Sequence, residues 1–177
     1  MKNIFQNNYF LLISIAIIFY LSFLIIGTGI HGDELLEIYK TKNISNLVDF
    51  LYYTEQLLTI PAAHIFYYWA YPAIGENNLI IYDFLKIIFH TISIYFVYKF
   101  ASDYIPQKNA LFAALFFILY PTHDTSIFCY MFTLYTFVPA LIMYCHHLIK
   151  DEKYLIGYSL LLIASFTHYL TPPYIFG

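Results

Sequence analysis

Charge is the first thing this sequence has little of. Only 11% of its 177 residues are charged, while 61% are hydrophobic. Soluble domains carry about 25% charged residues. A water-soluble fold of this size cannot hide so much apolar surface, so lipid is the expected solvent. The formal net charge of −3 argues against nucleic acid as a partner. Arginine is missing altogether, and all eight basic residues are lysine. With abundant Ile, Tyr, Phe, Asn and Lys, this matches an AT-rich bacterial coding sequence and says nothing about mechanism.

Cysteine is scarce too. Cys129 and Cys145 stand 16 residues apart on one expected helix. At about 1.5 Å per residue that is about 24 Å, which excludes a disulfide between them. Neither lies in a C-x-x-C spacing, so both read as apolar residues. No small-x-small cleavage site follows the first apolar run, Tyr9 to Ile30. That run, at about 22 residues, is longer than the core of a secretory signal and long enough to span a bilayer. It reads as a retained first helix. Strand-like alternation, repeats, low-complexity tracts and a soluble domain are likewise absent from the sequence.

What remains is a series of apolar segments that read as helices. Spans are expected at about residues 9–30, 79–100, 104–120, 127–149 and 154–170. A sixth segment, "LLTIPAAHIFYYWAYPAIG", is apolar enough to cross. It also holds Pro61, Pro72 and His64, and its Tyr67, Tyr68, Trp69 and Tyr71 favour the membrane–water interface. Lysine placement separates the two readings. If the segment lies on the surface, Lys2, Lys99, Lys108, Lys150 and Lys153 share the cytoplasmic side, with Lys40 and Lys42 outside. If it crosses, only Lys2 stays inside. The positive-inside rule favours the first arrangement. The expected fold is therefore an all-α integral membrane protein, a polytopic bundle of about five transmembrane helices. Its N-terminus is cytoplasmic, and an external loop, residues 31–78, carries a surface-lying helix.

In that topology two acidic loops face outside. "GIHGDELLEIY" follows the first span and holds Asp33, Glu34 and Glu37; "YPTHDTS" joins the third and fourth and holds His123 and Asp124. Asp33 and Glu34 suit a general base or metal ligands, or form a solvated acidic end. His123 and Asp124 can face Asp33, or Pro121 ends one helix while Asp124 or Thr125 caps the next. Asp83, Lys86 and His90 fall at i, i+3 and i+7 on one face of the second span. Ionisable residues there usually face the bundle interior and are often functional. Lys86 can reach a lipid phosphate, or the three are an ion pair and a packing histidine. His146 and His147 are neighbours on a helix, point apart and cannot chelate one metal. They read as an interface anchor beside Lys150.

The order of these motifs resembles the N-terminal part of GT-C-type membrane glycosyltransferases. The nearest branch holds the protein O-mannosyltransferases and their tetratricopeptide-bearing relatives. Asp33-Glu34 matches that branch's acidic pair after the first span. Gly75 to Asn78 matches a turn before the second, His90 a histidine midway through it, and Pro121 to Asp124 the "HPxHxE"-type loop. Tyr120 stands where the family has His, and Asp124 comes one place early. Family members have more than ten spans, so the resemblance implies a fragment of a longer chain.

The resemblance implies a GT-C-like fold in a bacterial inner membrane. It implies transfer of a sugar from a polyprenyl-phosphate donor to a glycan, lipid or protein acceptor outside the cytoplasm. Asp33 would act as base, and Glu34 and Asp124 would hold a divalent cation such as Mg or Mn. His123, Lys86 and His90 would contact donor phosphate or acceptor. Two other classes stay open: a non-catalytic assembly or binding module, and a small transporter using Asp83, Lys86 and His90 as a relay.

Overall fold

The computed structural model describes residues 2–26, 35, 39, 73–74, 78–119, 130 and 133–165. Among them the regular structure is helical throughout, with no strand. Five helices follow in order: α1 Lys2–Ile26, α2 Leu79–Ser102, α3 Gln107–Leu119, α4 Thr133–Lys150 and α5 Tyr154–Ser165. The class is all-α, as the apolar runs suggest. Of the helices described, α2 alone is both long and apolar enough to cross a membrane. Its 24 residues rise about 36 Å.

The bounds differ from the expected spans where local chemistry intervenes. Helix α1 starts at Lys2, well before the apolar run. Asn and Gln at positions 3, 6, 7 and 8 end the hydropathy signal without ending the hydrogen-bond ladder. Helix α3 starts at Gln107 rather than near Tyr104, because Pro106 supplies the first turn's acceptor. Its carbonyl takes hydrogen bonds from the N–H groups of Asn109 at 2.8 Å and Ala110 at 3.0 Å. Residues 103–106 form the tight turn between α2 and α3.

Helix α4 carries Pro139 in its interior. Proline cannot donate to the carbonyl four residues back, that of Tyr135, so the ladder loses one bond there. The helix closes on a Schellman cap. The N–H of Lys153 donates to the Leu148 carbonyl at 2.9 Å, and that of Glu152 to Ile149 at 3.0 Å. Glu152 occupies the left-handed position, with φ of 62°. The cap turns the chain straight into α5.

Helix α2 lies at the centre, packed against α1, α3 and α4, while α5 packs on α4. Two apolar cores flank it. In one, Leu12, Ala16 and Tyr20 of α1 meet Ile94 and Tyr98 of α2 and Ala110 and Ala114 of α3. In the other, Leu134, Val138, Leu141 and Cys145 of α4 meet Ala164 of α5, with Phe96 of α2 against them. Aromatic pairs join α2 to α4 and to Tyr130 just ahead of it in even steps: Tyr82 with Tyr130, Phe89 with Phe137, Phe96 with Tyr144. The partners advance together, so α2 and α4 run parallel.

Tyr20 stacks on His90, in the first half of α2. Leu12 and Ala16, earlier in α1, share a cluster with Ile94 and Tyr98, later in α2. These two helices therefore run antiparallel. The ends at Ile26, Leu79, Leu119 and Thr133 thus lie on one side of the bundle. The other side holds the starts of α1, α3 and α5, the ends of α2 and α4, and Lys2, Lys99, Lys108, Lys150 and Lys153. It is called the lysine end below.

Candidate functional site

The buried face of α2 is unusual for so apolar a helix. Asp83, Lys86, His90, Ser93 and Val97 are turned inward, steps of three or four residues along one stripe, with Tyr82 beside Asp83. Ile80, Phe84, Ile88 and Ile92 are turned outward. Lys86 is 2% exposed and His90 1%. A charge so placed demands compensation, and Asp83 supplies it: its Oδ1 lies 2.7 Å from Lys86 Nζ.

Around this pair the interior is polar and aromatic. Tyr82 is fully buried, with its ring 5.3 Å from that of Tyr130. Thr133 and Thr136 of α4 are buried at the level of Lys86 and His90 by the same register. His90 carries the Tyr20 ring on one side, at 5.4 Å and 29°. Asp83 lies about 6 Å and His90 about 17 Å along α2 from its first residue. The stripe therefore begins near the end opposite the lysines and runs to mid-helix.

Of the residues singled out in the sequence, Asp83, Lys86 and His90 are brought together on one inward face. Asp33, Glu34, His123 and Asp124 lie outside the described residues, as do most of loop 31–78, Cys129, and His168.

A second ionisable group sits at the lysine end. His147 Nδ1 lies 2.8 Å from Asp103 Oδ2, and its Nε2 lies 3.5 Å from Asp151 Oδ2. These three residues bring one ligand atom each within 4.8 Å of one another. Lys153 Nζ stands 3.5 Å from Asp151, and Lys150 donates to the Asp103 carbonyl at 2.7 Å. With Lys153 beside Asp151 and a carboxylate at each ring nitrogen of His147, the atoms of the group already engage one another. The group fits a bridge from the end of α2 to the end of α4 better than a cation site.

His146 points away from His147. Its Nδ1 lies 3.2 Å from the Tyr104 hydroxyl and its ring meets the edge of Phe100. The two histidines thus fix successive residues of the same turn. Sequence reasoning missed the Asp103 and Tyr104 partners, which lie 44 and 42 residues away. Only the parallel register of α2 and α4 links them. It also missed Tyr20 against His90, because α1 shows no polar stripe. No family model, curated protein or solved structure matches this chain.

Proposed function

We propose that the chain is a polytopic membrane module of a glycosyltransferase that draws a sugar from a polyprenyl-phosphate donor. The observation that carries the membrane half of this reading is the inverted burial of α2. Charged and polar side chains face the interior while isoleucine and phenylalanine face out, the distribution expected in lipid. The outward faces of α1, α3 and α5 agree: Phe10, Ile18, Phe112, Phe116, Leu155 and Leu162 are all more than half exposed.

The glycosyltransferase half rests on the motif order in the sequence, and the topology supports it. Antiparallel α1 and α2 require an even number of crossings between them. This favours a surface location for residues 57–75, an external side for Asp33 and a cytoplasmic lysine end. Segment 27–34 leaves α1, and segment 120–124 leaves α3, from ends on the same side of the bundle. Asp33 and Asp124 would then serve one site in a bacterial inner membrane whose N-terminal side is cytoplasmic.

In that site Asp33 takes the proton from the acceptor hydroxyl as its oxygen attacks the anomeric carbon. The bond to the donor phosphate breaks as the new glycosidic bond forms, and the polyprenyl phosphate departs. A single displacement inverts the anomeric centre, unlike the two-carboxylate chemistry of glycosidases. His123 offsets charge on the departing phosphate, since Lys86 is buried and already paired with Asp83. Glu34 and Asp124 are the residues that would hold a divalent cation.

The test is transfer in membranes loaded with a polyprenyl-phosphate sugar. Asp33→Asn is expected to abolish product while the amount of protein in the membrane stays unchanged. Full transfer by that variant rejects Asp33 as the base.

The burial of Asp83, Lys86 and His90 also favours a second reading, an intramembrane proton or ion relay. A relay requires water to reach His90. His90→Cys in an otherwise cysteine-free chain should then react with aqueous maleimide. Complete protection rejects the relay.

A further inference from the structure

At the lysine end a groove of about 430 Å³ opens on the surface of the bundle between α2, α3 and α4. Its walls are carbon, from Val97, Phe100, Ala101, Tyr104, Ala113 and Met143. At its edge stands a basic site that the fold holds in place. Lys150 Nζ sits 4.4 Å from the centre of the Tyr104 ring and donates to the Asp103 carbonyl at 2.7 Å. His146 lies against the Tyr104 hydroxyl and the edge of Phe100. Tyr104 and Phe100 therefore belong both to the groove wall and to the basic rim.

We propose that this groove holds one acyl chain of an anionic phospholipid of the inner leaflet, with the phosphate at Lys150 and His146. The proposal rests on the membrane reading above and not on the glycosyltransferase reading. Three observations select the occupant. The groove opens outward, so on the membrane reading a chain can enter from the bilayer. Its volume matches about one turn of a helix roughly 10 Å across, too little to seat a span of a second copy.

The charge at its rim is the third. Two of the carboxylates at this end are turned elsewhere, Asp103 to His147 and Asp151 to His147 and Lys153. Lys150 carries an ammonium whose position is set by a ring and a carbonyl, neither of which neutralises it. Basic pockets between helices on the cytoplasmic side are where anionic headgroups bind. The Tyr104 hydroxyl and the His146 ring, in contact with each other beside the lysine, keep the rim polar where a headgroup would lie.

The experiment uses the full chain purified in a neutral detergent. Native mass spectrometry counts retained phosphatidylglycerol and phosphatidylcholine of equal chain length. The wild type is expected to prefer phosphatidylglycerol about fivefold, the effect of one lysine near an anionic surface. Lys150→Gln should abolish the preference. Lys153→Gln removes the same charge on the same end and should leave it intact. Ala113→Phe, which fills the groove, should reduce retention of both lipids. Soluble glycerol phosphate should not compete, because it lacks the chain.

Equal retention of the two lipids by the wild type overturns the proposal. So does an equal loss in the Lys150 and Lys153 variants, which would mean diffuse charge rather than a site. A dimer that Ala113→Phe dissociates would put a second copy in the groove and overturn it too. Alkaline carbonate extraction separates this failure from that of the membrane reading. A chain released by carbonate is not integral, whereas one that stays in the membrane and shows no preference lacks only the lipid site.

Discussion

Lys86 and Asp83 form an ion pair inside a helix whose other face is isoleucine and phenylalanine. Taking one partner away leaves a buried charge without its counter-ion, whereas replacing both with apolar side chains removes the charge altogether. Lys86→Met is therefore expected to destabilise the folded chain by about 3–5 kcal/mol. The double variant Asp83→Leu, Lys86→Met should recover most of that loss. Thermal denaturation in detergent, followed by circular dichroism, checks both. A double variant as unstable as the single one would mean that the pair does more than neutralise itself. The i, i+3, i+7 spacing makes Asp83, Lys86 and His90 legible as one face from the sequence alone. That they face inward, and that Tyr20 covers His90, is not legible there, because a helix face has no direction until its neighbours are placed.

At the scale of the element, the α4–α5 hairpin depends on a close approach at Gly157. A Cβ there would come within 2.8 Å of Ile149 Cγ1 and 3.3 Å of the Cys145 carbonyl oxygen. Ile149 cannot retreat freely, since the Cys145 backbone stands beside it. Gly157→Ala is expected to push the helices apart and cost about 1–3 kcal/mol, as overpacking does. Serine at the same place should cost as much. Chemical denaturation of the purified chain reads the change, and an alanine variant at least as stable as the parent would show that the hairpin opens without strain. Helices α2 and α5 are legible in the sequence to within a few residues at their starts, because Leu79 and Tyr154 each follow polar residues. The start of α1 is not, since asparagines and a glutamine break the hydropathy pattern while leaving the helix intact. The start of α3 falls later than apolar content suggests, because Pro106 fixes it.

At the scale of the whole molecule, helix direction governs sidedness. With α1 antiparallel to α2 and α2 parallel to α4, Lys108 and Lys153 share one side of the bundle, opposite the ends at Ile26 and Leu119. On the membrane reading, single cysteines replacing Lys108 or Lys153 should resist an impermeant maleimide in intact cells and react after lysis. A cysteine replacing Asp33 should react in intact cells. Labelling of all three before lysis would overturn the topology. Composition alone pointed to lipid as the solvent: 11% charged residues against 61% hydrophobic ones leave too much apolar surface to hide from water. Long apolar runs without strand-like alternation determined the helical class, because only a helix keeps so many consecutive apolar residues in one regular element. Only the tertiary structure decided which partners meet across the bundle. Asp103 finds His147, Tyr104 finds His146, and Tyr20 finds His90 through helix direction and register. Direction and register depend on packing between segments far apart in the chain, and no local pattern of residues encodes them.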